Sequence, residues 1–304
     1  MEKWEFIYRV LKYLPEMYAE RISGMNRDES EKIEEIRFRL NCPCYIYTQD
    51  KAYPLSLENI TFADMEDIFF ALTQQSPKYF EEQINSGYLS VEGLRVGVSM
   101  QALTGKIFGI NIRIPVQHPG VSELLLPYIT KNGRLLNTLI FSVPQMGKTT
   151  LVRDIAYQIG SGNNVRSEKV CVIDERSELY GDGIFNIGFQ TDVIAGMDKR
   201  RAIKNALRSL SPQVIVTDEL GNENDTEAIF ECVNSGVTVC ATAHAGSLSE
   251  LNRKRAFREM IKNGIFDRYI LLNGDEGRIT VKYVADFRER TLVQNLKLKE
   301  IAVC

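Results

Sequence analysis

The stretch Phe141 to Thr150, FSVPQMGKTT, constrains this chain more than any other. An apolar, β-branched run from Leu136 to Val143 leads into it, and LVRDIAYQI from Leu151 leaves it with apolar residues at helical spacing. Strand, turn and helix in that order, with Gly147-Lys148-Thr149 at the turn, are the setting in which a loop wraps a chain of phosphates. Successive backbone N–H groups and the positive end of the following helix attract the anion. Gly147 lets the backbone approach closely, Lys148 brings a charge to the β and γ phosphates, and the Thr149 hydroxyl suits Mg²⁺. The expected nucleotide contacts are Ser142, Val143, Pro144, Gln145, Met146, Gly147, Lys148, Thr149 and Thr150. The loop pattern calls for glycine at position 142, so Ser142 must either avoid positive φ or hold strain.

Beyond the loop, short apolar runs alternate with helical patterns: KVCVID, a helix through Arg200 to Leu210, QVIVTDEL, a helix through Thr226 to Val233, and VTVCATAH. Nearly continuous apolar strands between helices imply a parallel sheet covered on both faces, with ligands at the carboxyl ends of its strands. The loop, Asp174, Asp218, Glu219 and His244 then share one edge. Asp218 with Thr149 is the expected Mg²⁺ pair, and Glu219 the base that polarises water. His244 is placed to sense the γ phosphate or the acid pair. Asp174, Glu175 and Glu178 in VIDERSEL crowd three carboxylates at a strand end, which points to a metal, a basic partner or a solvated turn. After a helix near Leu251 to Asn263, YILLNG and RITVKYV read as a hairpin around Gly274 to Gly277.

The first half has a different rhythm. Two short helical patterns flank Pro15, with Trp4, Ile7, Tyr8, Leu11 and Leu14 on one stripe; EEIRFRL, YIYT and AYPLSL read as strands. Thr61 with Asp64 forms a variant capping box, a second helix runs from Ser76 to near Gly87, and YLSV, LRVGVSMQAL and KIFGINIRIP alternate as an antiparallel meander. The resulting organisation is an α+β domain over 1–115, a linker over 116–132 and a P-loop domain over 133–304. A length of 304 residues, 44% of them hydrophobic, suits two domains.

A net charge of -3 without basic blocks disfavours nucleic acid as a partner. No apolar run reaches the roughly 18 residues of a spanning helix, which leaves peripheral membrane association open. The N-terminus lacks signal-peptide character, so the expected location is the cytoplasm. The six cysteines have no C-x-x-C spacing and accompany only two histidines, a composition that disfavours zinc and reads as reduced thiols.

The blocks EEIRFRLNCP, NSGYLSVEGLRVGV, NIRIP, MGKTTLVRDIA, VIDERSE, FQTDVIAG, ALRSLSPQVIVTDELG and ATAHAG, in that order, resemble the stage III sporulation protein AA family. That family is related to the hexameric ATPases of type II and type IV secretion and pilus assembly. The resemblance covers nearly the whole chain. It implies a RecA-like P-loop ATPase core, with ATP and Mg²⁺ as ligands, working as a homo-oligomer, a hexamer by that likeness, on membrane proteins of the stage III complex during endospore formation. It further implies that VIDERSE is the acidic box, VIVTDE the magnesium and base motif, and ATAH the histidine box. By the same likeness Arg95 and Arg113, and more weakly Arg208, reach phosphates at a subunit boundary. Two departures stand out: Ser142 in place of the first loop glycine, and Gly221 where secretion ATPases carry arginine. Two other readings remain at this stage: a scaffold gated by nucleotide without turnover, and a nucleic-acid-stimulated ATPase.

Overall fold

Alternation along IEEIRFR places Ile36 and Phe38 in the core and Glu35, Arg37 and Arg39 on the opposite face, as a half-solvated strand requires. The computed structural model describes residues 3–48, 51–85, 87–101, 103–115, 117–181, 183–221, 223–275 and 278–298. The Trp4 side chain, the turn at 276–277 and Cys304 lie outside the described atoms. The chain divides into two units, one of 1–117 with 181–184, the other of 118–180 with 185–304.

The first unit begins with helices α1 (Lys3–Leu11), α2 (Glu16–Ser23) and α3 (Arg27–Ser30), then strands β1 (Ile33–Arg39), β2 (Pro43–Thr48) and β3 (Ala52–Asn59). Helix α4 (Phe62–Leu72), α5 (Glu81–Asn85), and strands β4 (Tyr88–Val91), β5 (Leu94–Met100) and β6 (Ile107–Arg113) complete it. All six strands form one antiparallel sheet in the order β3-β2-β1-β6-β5-β4. Pro54 is tolerated because β3 is an edge strand, where a missing N–H breaks no ladder. Glu92 and Gly93 both adopt positive φ, as the tight turn between β4 and β5 demands. Thr61 and Asp64 exchange the two bonds of a capping box, at 3.2 and 2.8 Å. The helix expected from Ser76 is instead a 3₁₀ turn over Pro77–Phe80 followed by the five residues of α5.

The second unit contains α6 (Leu126–Ile129), a small hairpin of β7 (Thr130–Lys131) and β8 (Arg134–Leu135), then β9 (Thr138–Ser142) and α7 (Lys148–Ser161). β10 (Val170–Asp174), β11 (Thr191–Ala195), α8 (Lys199–Ser209), β12 (Val214–Leu220), α9 (Glu223–Asn234) and β13 (Thr238–His244) follow. The last described elements are α10 (Leu248–Arg253), α11 (Arg255–Lys262), β14 (Arg268–Asp275), β15 (Arg278–Asp286) and β16 (Thr291–Lys297). The eight-stranded sheet runs β11-β10-β12-β13-β9-β14-β15-β16; the first six strands are parallel and the last two antiparallel. Every residue of β9 and β10 is buried, which explains why their sequences are nearly all apolar, with Thr138, Ser142 and Asp174 at the strand ends.

Three features differ from the sequence expectation. β11 is an extra edge strand whose half-exposed TDVIA lacks the apolar run of its neighbours. The terminal hairpin is built into the main sheet, since β14 lies parallel to β9, and β16 extends it. The helix expected near Leu251 to Asn263 is two helices, because Lys254 takes an extended ψ of 124° between α10 and α11.

The segment read as a linker carries buried Val121, Leu125, Leu126 and Ile129 from His118 onward. It is tied to α7 by the buried Asp154 carboxylate, which accepts the N–H groups of Gly120 and Ser122 at 2.8 and 2.7 Å and the Ser122 hydroxyl at 2.6 Å. Cys44, Cys171, Cys232 and Cys240 are buried free thiols, pushed up to about 12 by burial.

Candidate nucleotide site

Parallel pairing aligns the carboxyl ends of the central strands, and with them the polar residues that follow each apolar run. Ser142 at the end of β9 stands opposite His244 at the end of β13. β12 reaches the same edge through a bulge between Thr217 and Leu220, within which Glu219 adopts φ 45°. A bulge of this kind re-aims side chains, and here it separates the directions of Asp218 and Glu219.

In the loop itself, positive φ falls at Gln145 and Gly147, while Ser142 keeps the backbone of a strand residue. A serine at this position therefore costs no left-handed strain. Gly147 is obligatory: at φ 80°, an added Cβ would lie 2.2 Å from Ile279 Cδ1. Val143, Pro144 and Gln145 are exposed, Met146, Thr149 and Thr150 are half-buried, and Lys148 is buried. The Lys148 ammonium donates to Ser142 Oγ and Val143 O at 3.2 Å each and lies 3.2 Å from His244 Nδ1. Burial holds its pKa below the ordinary lysine value, against the opposing pull of Asp218 and Glu219. An ammonium can only donate, so Nδ1 is the acceptor and the imidazole proton sits on Nε2, which faces Glu219 Oε1 at 3.5 Å.

Asp218 Oδ2 accepts the Thr149 hydroxyl at 2.8 Å, and its other oxygen takes the Thr242 hydroxyl and the Glu219 N–H, the latter at 2.9 Å. Glu219 is held from three sides. Its N–H also reaches Thr242 Oγ1 at 2.8 Å, its carbonyl accepts the buried Lys199 ammonium at 2.7 Å, and its Oε2 pairs with Arg176 at 2.7 Å.

The acidic box behaves differently from its sequence reading. Asp174 is buried, and its carboxylate accepts the N–H groups of Glu178, Leu179 and Tyr180 at 2.8, 3.0 and 2.7 Å, so it organises the loop after β10. Arg153 on α7 clamps the same loop by donating to Leu179 O and Glu178 O at 2.9 and 2.6 Å, and its guanidinium stacks 3.6 Å from the Phe185 ring. Burial lowers the Arg153 pKa to about 10, opposed first by Asp174. Glu175 faces Lys199 at 3.9 Å. Among the described residues no three His, Cys, Asp or Glu side chains converge as a metal cluster.

Arg176, Lys199, Thr242 and Arg153 complete the site without having been singled out from sequence. Arg153-Asp154 had a signal: two adjacent charges inside an otherwise buried helix require partners. Arg95 and Arg113 belong to the other unit, where they are exposed and stand directly opposite each other on β5 and β6, with Glu35 3.8 Å from Arg113. Arg208 is exposed on α8.

This is the RecA-like P-loop ATPase fold, and solved ATPases share it. The structure is similar to the ATPase DotB of Legionella pneumophila at a TM-score of 0.61 and 17% identity, over 85% of this chain and 78% of that one. It is similar to the pilus retraction motor PilT, solved with bound ADP, at a TM-score of 0.61 and 17% identity, over 79% of this chain and 74% of that one. The chain belongs to the family described as Sporulation stage III, protein AA, whose model matches residues 1–292. Stage III sporulation protein AA of Bacillus subtilis is 34% identical over 291 residues, spanning 91% of this chain and 94% of that protein. No helix among the described residues is long and apolar enough to cross a membrane.

Proposed function

We propose that the protein binds and hydrolyses ATP at the carboxyl edge of the second unit's sheet. The observation that carries this reading is the meeting of Lys148, the Thr149–Asp218 pair, Glu219 and His244 across three adjacent strand ends. Lys148, held only by neutral acceptors, is available to exchange them for phosphate oxygens. Thr149 and Asp218 present hard oxygen donors at contact distance, which suits Mg²⁺, an ion that takes one or two protein oxygens and completes its shell with phosphates and water. When bound, that ion supplies neutralisation of the charge on the β and γ oxygens. Glu219 accepts a proton from the attacking water as its oxygen bonds to the γ phosphorus and the bridging bond to the β phosphate breaks.

The working unit in this reading is a homo-oligomeric ring, a hexamer by likeness to secretion ATPases, in which Arg95 and Arg113 meet the nucleotide at a subunit boundary. It acts at the cytoplasmic side of a membrane complex of other stage III sporulation proteins. Family membership and the likeness to DotB and PilT support that assignment.

Binding is tested by thermal unfolding with and without MgATP. A ligand present at 100 times its Kd adds about 2.7 kcal/mol to the stability of the form that binds it. Wild type is expected to show that protection and Lys148→Ala to lose it while keeping its circular dichroism spectrum. Equal protection of both proteins would place the phosphates elsewhere.

A further inference from the structure

We infer that Arg176 is a positioning residue for Glu219, fixing the carboxylate that takes the proton from water. This rests on the hydrolytic reading of the site.

Glu219 has an unusual hold. Its backbone is pinned in the left-handed region by Lys199 on its carbonyl and by Thr242 and Asp218 on its N–H. Its side chain still has three torsions to settle, and among the described residues the cationic group within ion-pairing distance of Oε2 is Arg176, at 2.7 Å. The guanidinium takes one oxygen alone. Oε1 is left facing His244 Nε2, at 3.5 Å, while Lys148 holds the other ring nitrogen, Nδ1, at 3.2 Å. A carboxylate held by one oxygen, with the other beside the histidine that also meets Lys148, is arranged for a water on Oε1.

The pair is not there for the fold. Its side chains are 68% and 40% exposed, and exposed ion pairs contribute about 0–1 kcal/mol. The loop that presents Arg176 is nonetheless rigidly built: Asp174 gathers three N–H groups just beyond it, Arg153 clamps two carbonyls there, and Ser177 adopts φ 54°. That buried framework orders a short segment whose exposed product is one guanidinium aimed at Glu219. The chemical purpose of the acidic box in this chain is thus indirect: Asp174 sets the loop, the loop sets Arg176, and Arg176 sets the base.

The test compares kcat, KM and Tm for wild type, Arg176→Ala, Arg176→Lys and Arg176→Ala combined with Glu219→Gln. Arg176→Ala is expected to lower kcat roughly tenfold, an order of magnitude typical of misplacing rather than deleting a base that contributes about 10²–10⁴. KM and Tm stay put, lysine restores part of the loss, and the double variant is no slower than Glu219→Gln alone. Unchanged or faster turnover in Arg176→Ala overturns the inference. Absence of turnover in wild type would count against the hydrolytic reading itself, and crystal structures without nucleotide then decide the positioning claim. There, a Glu219 carboxylate ordered in wild type and scattered over rotamers in Arg176→Ala supports it; an unmoved Glu219 overturns it.

Discussion

Glu219→Gln lowers ATP turnover by about 10²–10⁴, the contribution of a positioned general base, and leaves MgATP binding intact. The expectation follows from what the side chain touches. Glutamine is nearly isosteric and keeps an oxygen for Arg176, so the bulge and its backbone bonds to Thr242 and Lys199 survive. What it loses is the capacity to accept a proton from water. Lys148, Thr149 and Asp218, which meet the phosphates and Mg²⁺ in this account, make no bond to the Glu219 carboxylate. Turnover under saturating ATP, beside a binding titration, reads the two quantities separately; a parallel loss of binding would mean that Glu219 builds the pocket rather than serving the reaction.

The second large effect is on stability. Asp154→Ala is expected to cost roughly 3 kcal/mol or more, because it strands two buried N–H groups and a hydroxyl, each costing about 1–3 kcal/mol when left unsatisfied. The loss is local in origin and broad in effect. Gly120 and Ser122 anchor the segment that buries Val121, Leu125 and Leu126, and Asp154 itself sits in the middle of the helix that follows the phosphate loop. Urea unfolding reads it directly; a change below about 1 kcal/mol would mean that water replaces the carboxylate there.

Much of this architecture is legible in the chain because its elements obey single rules. The strands β9, β10, β12 and β13 are nearly continuous apolar runs up to their carboxyl ends, and the edge at which they end places Ser142, Asp218, Glu219 and His244 near one another. β11 is hidden because an edge strand needs no continuous apolar sequence, and its TDVIA is half exposed. The break at Lys254 is likewise invisible: neither glycine nor proline marks it, and only the backbone reveals the extended residue between two helices. The site divides in the same way. Loop residues follow from spacing, whereas the role of Asp174 depends on three N–H groups supplied by residues 178–180, whose direction no spacing rule conveys. Arg176 lies in VIDERSE just after β10, yet its partner is 43 positions away on β12. The Ser142 substitution carries less consequence than its departure from pattern suggests, since the positive φ of this loop falls at Gln145 and Gly147.

The central claim is that an oligomer of this chain hydrolyses ATP at sites completed between subunits. The most direct measurement is ATP hydrolysis per subunit over a wide range of protein concentration, with Glu219→Gln as the control. The account requires specific activity to rise steeply with concentration and the variant to stay at background, because an arginine supplied across a boundary accelerates phosphoryl transfer by about 10³–10⁵. Flat activity at the level of the variant, in protein that still binds MgATP, would contradict it and leave a nucleotide-gated scaffold in its place.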